Sequence, residues 1–531
     1  WEPKPVSQHE VKRAVFALRN TNSTGIDGIA LQYLKDSLII TLPYISTVIN
    51  TSIVNELFPE IWKHAIIKAI HKSGDKDEPS NFRPISLLPV LSKILEKVIS
   101  IQLIDYLESN KLINDSQYAY RQKLSTEDAL MSITEDLYKN FDDGKISLLI
   151  LLDLSKAFDS VSHEILFEKL RKLGIDPTWF KNYLKNRRQS VKLDNATTSS
   201  PSSIAFGVPQ GSILGPLLFL VFVNDIDCKL PKNQAKMAMY ADDVQILLSQ
   251  KPSDLKELKK DAETAVSNLK SWYDKNGLKL NSEKTKCILF GSNSKRKAVP
   301  VNFSIRIGKS DIFVEDKIMS LGVWFDPDLS FKHHVTTLCS KLNGTLLFLN
   351  SAKNELDFKS RLLIVHALVF SHINYCLSIW GKCTKTQMEK VQRCINFAAR
   401  ITCDGNHRKR DHVSPLLEKL QWLNINNRLA LQESTRIHKE LIGKHSPGSI
   451  RHIFSRGEKN NRFTRNNDTL HIEQRKTGTA CRAFSITGPK SWNNLPTNLK
   501  NLKSNMSFRE RLSKHLLANQ FKTVTLSTNL S

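Results

Sequence analysis

The stretch Met237-Ala238-Met239-Tyr240-Ala241-Asp242-Asp243-Val244-Gln245-Ile246-Leu247-Leu248 constrains this chain more than any other. Two apolar runs, each long enough for one buried strand, leave two adjacent aspartates at the tip of a tight hairpin. Neighbouring carboxylates between core strands are costly unless a cation lies on them, and hard oxygen donors suit Mg²⁺ or Mn²⁺. Asp-Asp is also an ordinary solvated turn. The dipeptide therefore needs partners elsewhere in the chain before it can carry chemistry.

Two further blocks supply them. Leu148-Leu149-Ile150-Leu151-Leu152 is an unbroken apolar run, the pattern of a central strand covered on both faces, and it delivers Asp153 at its C-terminal end. Asp153 stands 89 residues before Asp242, so only folding can unite the carboxylates. United, they would make a two-metal site, in which one cation activates a hydroxyl nucleophile and both clamp a phosphoryl group. Between the blocks, Gly207-Val208-Pro209-Gln210-Gly211-Ser212-Ile213-Leu214-Gly215-Pro216 opens an apolar helix from Leu217 to Val223. Read functionally, this backbone lies close enough to a nucleotide for only glycine to fit; read structurally, it is a helix-entry turn.

Lys and Arg number 77 against 52 Asp and Glu, a net charge of +25 over 531 residues. A field of that sign favours a polyanion, either nucleic acid or an anionic membrane surface. No apolar run reaches the length of a membrane span, and Trp1-Glu2-Pro3-Lys4 opens no signal peptide. A soluble, intracellular protein is expected, present in nucleus and cytoplasm if it travels as a ribonucleoprotein. The length calls for about three domains, and a start without Met suggests a piece of a longer polypeptide. Of the eight cysteines, four crowd between Cys376 and Cys403, but their gaps do not match the close pairs of zinc sites, so reduced core thiols are expected.

The coarse order of elements is mixed. Helices are expected at His9 to Leu18 and Leu31 to Ile40, a strand at Trp62 to Ile70, and extended backbone around Arg83, which Pro84 enforces. Leu91 to Leu107 reads as a helix with Ile94, Val98, Ile101 and Ile104 on its buried face, and Asp254 to Tyr273 as another. Phe331 to Leu349 and Phe358 to Ile379 also read as helices, whereas 405 to 531 reads as basic and loop-rich. From Arg451 to Ala480 there are seven Lys or Arg against three Asp or Glu, a tail able to hold RNA phosphates or simply to be solvated.

Tyr-Ala-Asp-Asp after Gly-Val-Pro-Gln-Gly-Ser, itself after Asp-x-x-x-Ala-Phe-Asp, resembles the reverse transcriptases of non-LTR (LINE-type) retrotransposons, most closely the jockey-like and chicken-repeat-like elements. The likeness runs from about Val6 to about residue 400, and more loosely through Ser491-Trp492-Asn493-Asn494-Leu495-Pro496. It implies an α+β right-hand polymerase fold with a basic C-terminal extension. Fingers would occupy 1–145, palm 146–325, helical thumb 326–404 and the extension 405–531. Asp153, Asp242 and Asp243 match the palm carboxylates that hold two Mg²⁺ ions, and Phe158 the steric gate against a ribose 2′-OH. Gln210 and Gly211 match the loop along the incoming nucleotide. Arg83, and less closely Lys72, resemble fingers residues that reach the triphosphate. Lys284 or Lys286 matches the lysine assisting pyrophosphate departure, and Leu321-Gly322-Val323-Trp324 the primer grip.

The implied activity is RNA-directed DNA polymerisation from dNTPs, with an RNA template and a DNA primer as partners and no membrane. Proteins of this kind carry an endonuclease ahead of the polymerase, and none is visible here. The intact carboxylates and Phe158 argue against the two alternatives, a silent nucleic-acid-binding remnant and an RNA-copying RNA polymerase.

Overall fold

A computed structural model describes residues 1–192, 198–226, 230, 235–403, 405, 407, 411–442 and 469–528. Ser7 and Glu10 close a capping box on α1 (Gln8–Ala17). The helix expected over 31–40 is two helices, α2 (Leu31–Asp36) and α3 (Leu38–Val54). The Ser37 hydroxyl at the break donates to the carbonyls of Tyr33 and Leu34, competing with the helical ladder. β1 (His64–His71) and β2 (Phe82–Leu87) form a hairpin in which Ile70 faces Arg83. Pro84 is tolerated because β2 is an edge strand.

α4 (Val90–Ser109) buries more than the expected stripe. Ile101 is exposed, while Leu95, Ile99, Leu103 and Leu107 are buried, because α4 packs against both α1 and a later helix, α8. After α5 (Thr126–Asp142) comes β3 (Ile146–Leu152), then the two-residue β4 (Leu154–Ser155), α6 (His163–Lys172) and α7 (Thr178–Leu184). β5 (Arg188–Lys192) and β6 (Ser202–Ser203) complete a four-stranded sheet of order β2-β1-β5-β6.

The all-apolar α8 (Leu214–Val223) precedes β7 (Ala235–Tyr240), β8 (Asp243–Gln250), α9 (Leu255–Lys275), β9 (Lys279–Leu280) and β10 (Lys286–Phe290). The central sheet has the order β10-β3-β8-β7, with β3 inside it. Its two faces feed two cores. Leu148, Ile150, Ile246 and Leu248 pack with α8 and α9, whereas Leu149, Leu247 and Ile288 pack with α5 and with helices that follow the sheet. This is why β3 reads as a continuous apolar run instead of an alternating one.

Short α10 (Asn293–Arg296) and two hairpins follow, β11 (Ser304–Ile307) with β12 (Ser310–Phe313) and β13 (Ile318–Ser320) with β14 (Val323–Phe325). α11 (Lys332–Ser351) matches its expectation. The helix expected over 358–379 is interrupted. α12 (Phe358–Val365) runs into a π-turn at His366–Phe370, then α13 (Ser371–Asn374), a left-handed Cys376 and α14 (Leu377–Trp380). α15 (Lys385–Thr402) packs along α11.

The C-terminal region is a second correction. Its described residues form α16 (Ser414–Lys419), α17 (Ile425–Ile442), α18 (Phe484–Asn493), α19 (Thr497–Lys500) and α20 (Asn505–Thr528). Phe484, Ile486, Trp492, Phe508 and Leu512 lie in the same core as α5 and α11. A basic composition hid this, because these helices carry apolar faces between their charges. Within the basic segment Arg451 to Ala480, positions 451–468 lie outside the described residues. The seven described cysteines are free thiols.

Candidate active site

The Asp242-Asp243 hairpin closes tightly. Tyr240 pairs with Asp243, leaving Ala241 and Asp242 as the loop, with Ala241 in the left-handed region at φ +59°. That backbone costs a side-chain-bearing residue roughly 1–2 kcal/mol, and residues 116–118 hold it. The Ala241 amide donates to Gln117 Oε1 at 3.2 Å, Met239 donates to the Ser116 carbonyl at 2.7 Å, and Tyr118 donates to the Met239 carbonyl at 2.9 Å. Nothing in the sequence alone links this segment to the hairpin.

β3 runs antiparallel to β8, with Leu152 facing Val244. One more step of that register sets Asp153 opposite Asp243, and the three carboxylates lie near enough to act on one another's charge. Asp243 has an accessible tip but protein walls around it. Burial first, then Asp242 and Asp153, push its carboxyl up to about 6. Burial also raises Asp153 and Asp242. Lys284 and Lys72 oppose the rise at Asp153, while Arg83 and Lys72 oppose it at Asp242.

The cations arrive from two directions. Lys72 and Arg83 sit at the loop end of the β1–β2 hairpin, both exposed. Lys284 sits in a turn tied to the site, since the Asn281 amide donates to the Asp153 carbonyl at 2.9 Å and Asn281 Oδ1 accepts from the Lys284 amide at 3.2 Å. Lys286 does not join them. Its ammonium pairs with Glu315 at 2.9 Å on the far edge of the sheet, which separates the two lysines that spacing left open.

Phe158 is half-buried with its ring stacked on Phe219 at 4.5 Å between centroids, so its position is fixed from behind. Gln210 Nε2 donates to Asp159 Oδ1 at 2.8 Å, and the Gln210 carbonyl accepts from the Ser86 amide at 2.6 Å. Gly211, at φ +112°, has room for no Cβ, which would stand 2.7 Å from the Ser86 carbonyl oxygen. A Cβ on Gly207 would meet the Asp159 backbone at 2.8 Å. The glycines are thus required by close approach of the protein's own backbone. The loop rides on β2 and carries Gln210 with it.

Three residues at or behind the site carry no motif. Tyr120 has left-handed backbone at φ +58°, and burial, then Asp242, raise its phenol to about 12. Glu96 on α4 is fully buried and accepts from the Ile213 and Leu214 amides at 2.7 and 3.2 Å, capping the entry to α8. Tyr375 donates to the Leu321 carbonyl at 2.7 Å and to Thr126 Oγ1 at 3.2 Å, joining the expected primer-grip hairpin to α5. Leu321 and Gly322 form that hairpin's left-handed turn, Val323 is buried, and the Trp324 amide donates to His334 Nδ1 at 3.4 Å.

Among the described residues no three His, Cys, Asp or Glu side chains are already arranged to hold a metal ion. The donor set nevertheless fits hard cations in its chemistry. All three groups are carboxylates raised by burial, and Asp153 and Asp243 also by a neighbouring aspartate, a penalty that a divalent cation would remove.

Residues 70–325 match the family described as “Reverse transcriptase (RNA-dependent DNA polymerase)”, a span that holds every residue of this cluster. They form a reverse transcriptase domain. Its fold is the right-hand polymerase fold. Similar curated proteins from Drosophila melanogaster are the “Probable RNA-directed DNA polymerase from transposon BS”, 31% identical over 76% of this chain and 45% of its own length, and that from transposon X-element, 28% identical over 75% and 44%. The “RNA-directed DNA polymerase from mobile element jockey” is 26% identical over 73% of this chain and 43% of its own length. The chain thus spans less than half the length of these relatives. No helix among the described residues is long and apolar enough to cross a membrane.

Proposed function

We propose that this chain is the RNA-directed DNA polymerase of a non-LTR retrotransposon, extending a DNA 3′-OH along an RNA template with dNTPs. The observation that carries the reading is the meeting of Asp153, Asp242 and Asp243 beneath Lys72, Arg83 and Lys284. Each addition joins the primer 3′-oxygen to the α-phosphorus and releases pyrophosphate. The three aspartates would hold two Mg²⁺ ions, or Mn²⁺, which supply activation of the 3′-oxygen and neutralisation of phosphoryl charge.

The chain's own residues do the rest. Lys72 and Arg83, on the fingers hairpin, bind the triphosphate oxygens, with Arg83 suited to bidentate contact. Lys284 stabilises the negative charge on the departing pyrophosphate. Phe158, braced by Phe219, fills the space that a ribose 2′-OH would need. Gln210 is aimed by its bond to Asp159 and lines the nucleotide. Leu321, Gly322, Val323 and Trp324 seat the primer end through a hairpin that Tyr375 anchors.

Primer extension on an RNA template with Mg²⁺, comparing dNTPs with NTPs, tests this. The wild type incorporates dNTPs alone, and Asp242→Ala lowers the rate by several powers of ten, about the share that metal-borne charge stabilisation supplies. Undiminished extension by Asp242→Ala overturns the site. Phe158→Val admits NTPs, and unchanged sugar selection removes Phe158 from its role.

A further inference from the structure

α11 and α15 pack side by side, and a cavity of about 810 Å³ opens between them. Lys353, Lys390 and Arg393 line it, together with Asn343 and the Phe397 ring, and among the described residues no acidic side chain does. Its size is that of a ligand pocket, about 300–1,000 Å³, enough for a short piece of single strand and too small for a duplex. Cys339 on its wall lies seven residues into α11, and Lys353 just beyond the end of that helix. At about 1.5 Å per residue the cavity therefore runs from roughly 10 to 30 Å past the start of α11, the helix that follows the primer-grip hairpin. All of it lies outside residues 70–325.

We propose that this cavity binds the phosphates of an RNA strand, as a contact separate from the carboxylate site. The proposal rests on the RNA-copying reading for the identity of the strand. Four cationic side chains, Lys353, Lys390, Arg393 and Arg400, line a space with no acid among its described lining residues, and such a lining attracts phosphodiesters without sequence preference. Phe397 gives a base an apolar wall to lie against. In a protein of net charge +25, phosphate is also the anion that the outer field gathers.

The cavity holds its own reporter. The Cys339 thiol shares a hydrogen bond with Cys394, and that bond, with Lys390 and Arg393, holds it below the ordinary thiol range despite its burial. Burial instead pushes Cys287, Cys376 and Cys383 up to about 12. Because Cys339 lies on the cavity wall, a strand bound there covers it, and its modification by a small alkylating agent reports occupancy.

The test treats the full chain with N-ethylmaleimide, alone, with a 12-nucleotide RNA, or with pyrophosphate. Modification at Cys339 is read by mass spectrometry, and RNA affinity is measured against salt. We expect RNA to slow Cys339 modification at least fivefold, in Asp242→Ala as in wild type. Lys390→Gln with Arg393→Gln should weaken RNA binding about tenfold and flatten the salt slope by about 1–2. Arg393→Lys should keep the slope, and thermal melting should match the wild type in all three. No protection by RNA, or an unchanged slope in the double variant, overturns the proposal; protection by pyrophosphate but not RNA overturns the choice of ligand. Failed extension with Cys339 still protected would overturn the polymerase reading and leave this one standing.

Discussion

Replacing Glu96 by leucine should loosen the nucleotide loop from 117 residues away in sequence. The fully buried Glu96 carboxylate accepts from the Ile213 amide at 2.7 Å and the Leu214 amide at 3.2 Å, and it also accepts from Ser92 Oγ at 2.9 Å. Leucine keeps the volume but leaves two buried N–H groups unpaired, at about 1–3 kcal/mol each. It also removes a negative charge from a helix N-terminus, about 0.3–2 kcal/mol. Relief of the buried carboxylate's own desolvation offsets part of this. The balance is a loss of about 2–4 kcal/mol. Glu96→Gln keeps one acceptor oxygen and should lose about half as much. Urea unfolding followed by circular dichroism measures the stability, and dNTP titration of primer extension measures the loop. Because Gln210 and Gly211 lie just before the capped amides, we expect the dNTP KM to rise in the order Glu, Gln, Leu. A Glu96→Leu protein within about 0.5 kcal/mol of wild type would refute the reasoning, since ordinary surface changes do no more than that.

Other perturbations follow from the same contacts. Burial, then His333, holds His334 at about 4 against an ordinary 6.5. The unfolded chain therefore takes up a proton near 6.5 that the folded chain refuses until about 4. Stability should be full above that window and fall by about 3 kcal/mol as pH drops through it; His334→Asn should flatten the urea-midpoint profile there, and an unchanged profile would count against the Trp324–His334 bond. Gly211→Ala should cost about 2–4 kcal/mol and cripple extension, because its φ of +112° and the 2.7 Å approach to Ser86 both forbid a Cβ. Gly28→Ala, at φ +67° in open space, should cost only about 1–2 kcal/mol in the same unfolding assay. Single-turnover extension should slow about 10–100-fold in Lys284→Ala and barely change in Lys286→Ala, since removal of one charge stabiliser is worth that much; equal effects would refute their separation.

The catalytic hairpin and β3 were legible because each is a short apolar run of strand length that ends in an acid, and the register of an antiparallel pair then follows from pleat and length. The two lysines were not. Lys284 and Lys286 are two residues apart, a spacing that puts both on one face of a strand, and only the turn at Asn281, bonded to Asp153, takes Lys284 out of the strand and towards the site. Breaks at Ser37 and Cys376 escaped for a related reason: apolar periodicity continues across them, and it is a hydroxyl or a left-handed residue that interrupts the helix. The glycine loop was recognisable as a loop, but the backbone it presses against belongs to Ser86 and Asp159, distant in sequence.

What joins the parts was invisible for a physical reason that also explains the fold. Among the described residues four acidic side chains are buried, Glu96, Asp128, Glu135 and Glu433, and each stands at a junction between elements. Glu96 ties α4 to α8, and Glu135 on α5 accepts from the Phe484 and Ser485 amides of α18. Asp128, also on α5, pairs with Arg436 of α17, while Glu433 of α17 pairs with Lys382 and accepts from Thr487 and Ser491. The cations at these junctions are shared: Arg436 pairs with both Glu127 and Asp128, and Lys382 acts on Glu135 as well as Glu433. Removing Arg436 strands two acids at once, so Arg436→Met should lower the urea midpoint more than a variant at either acid alone. Asp153 and Asp243 differ from the four junction acids: a neighbouring aspartate as well as burial raises each of them, a penalty that a divalent cation would remove.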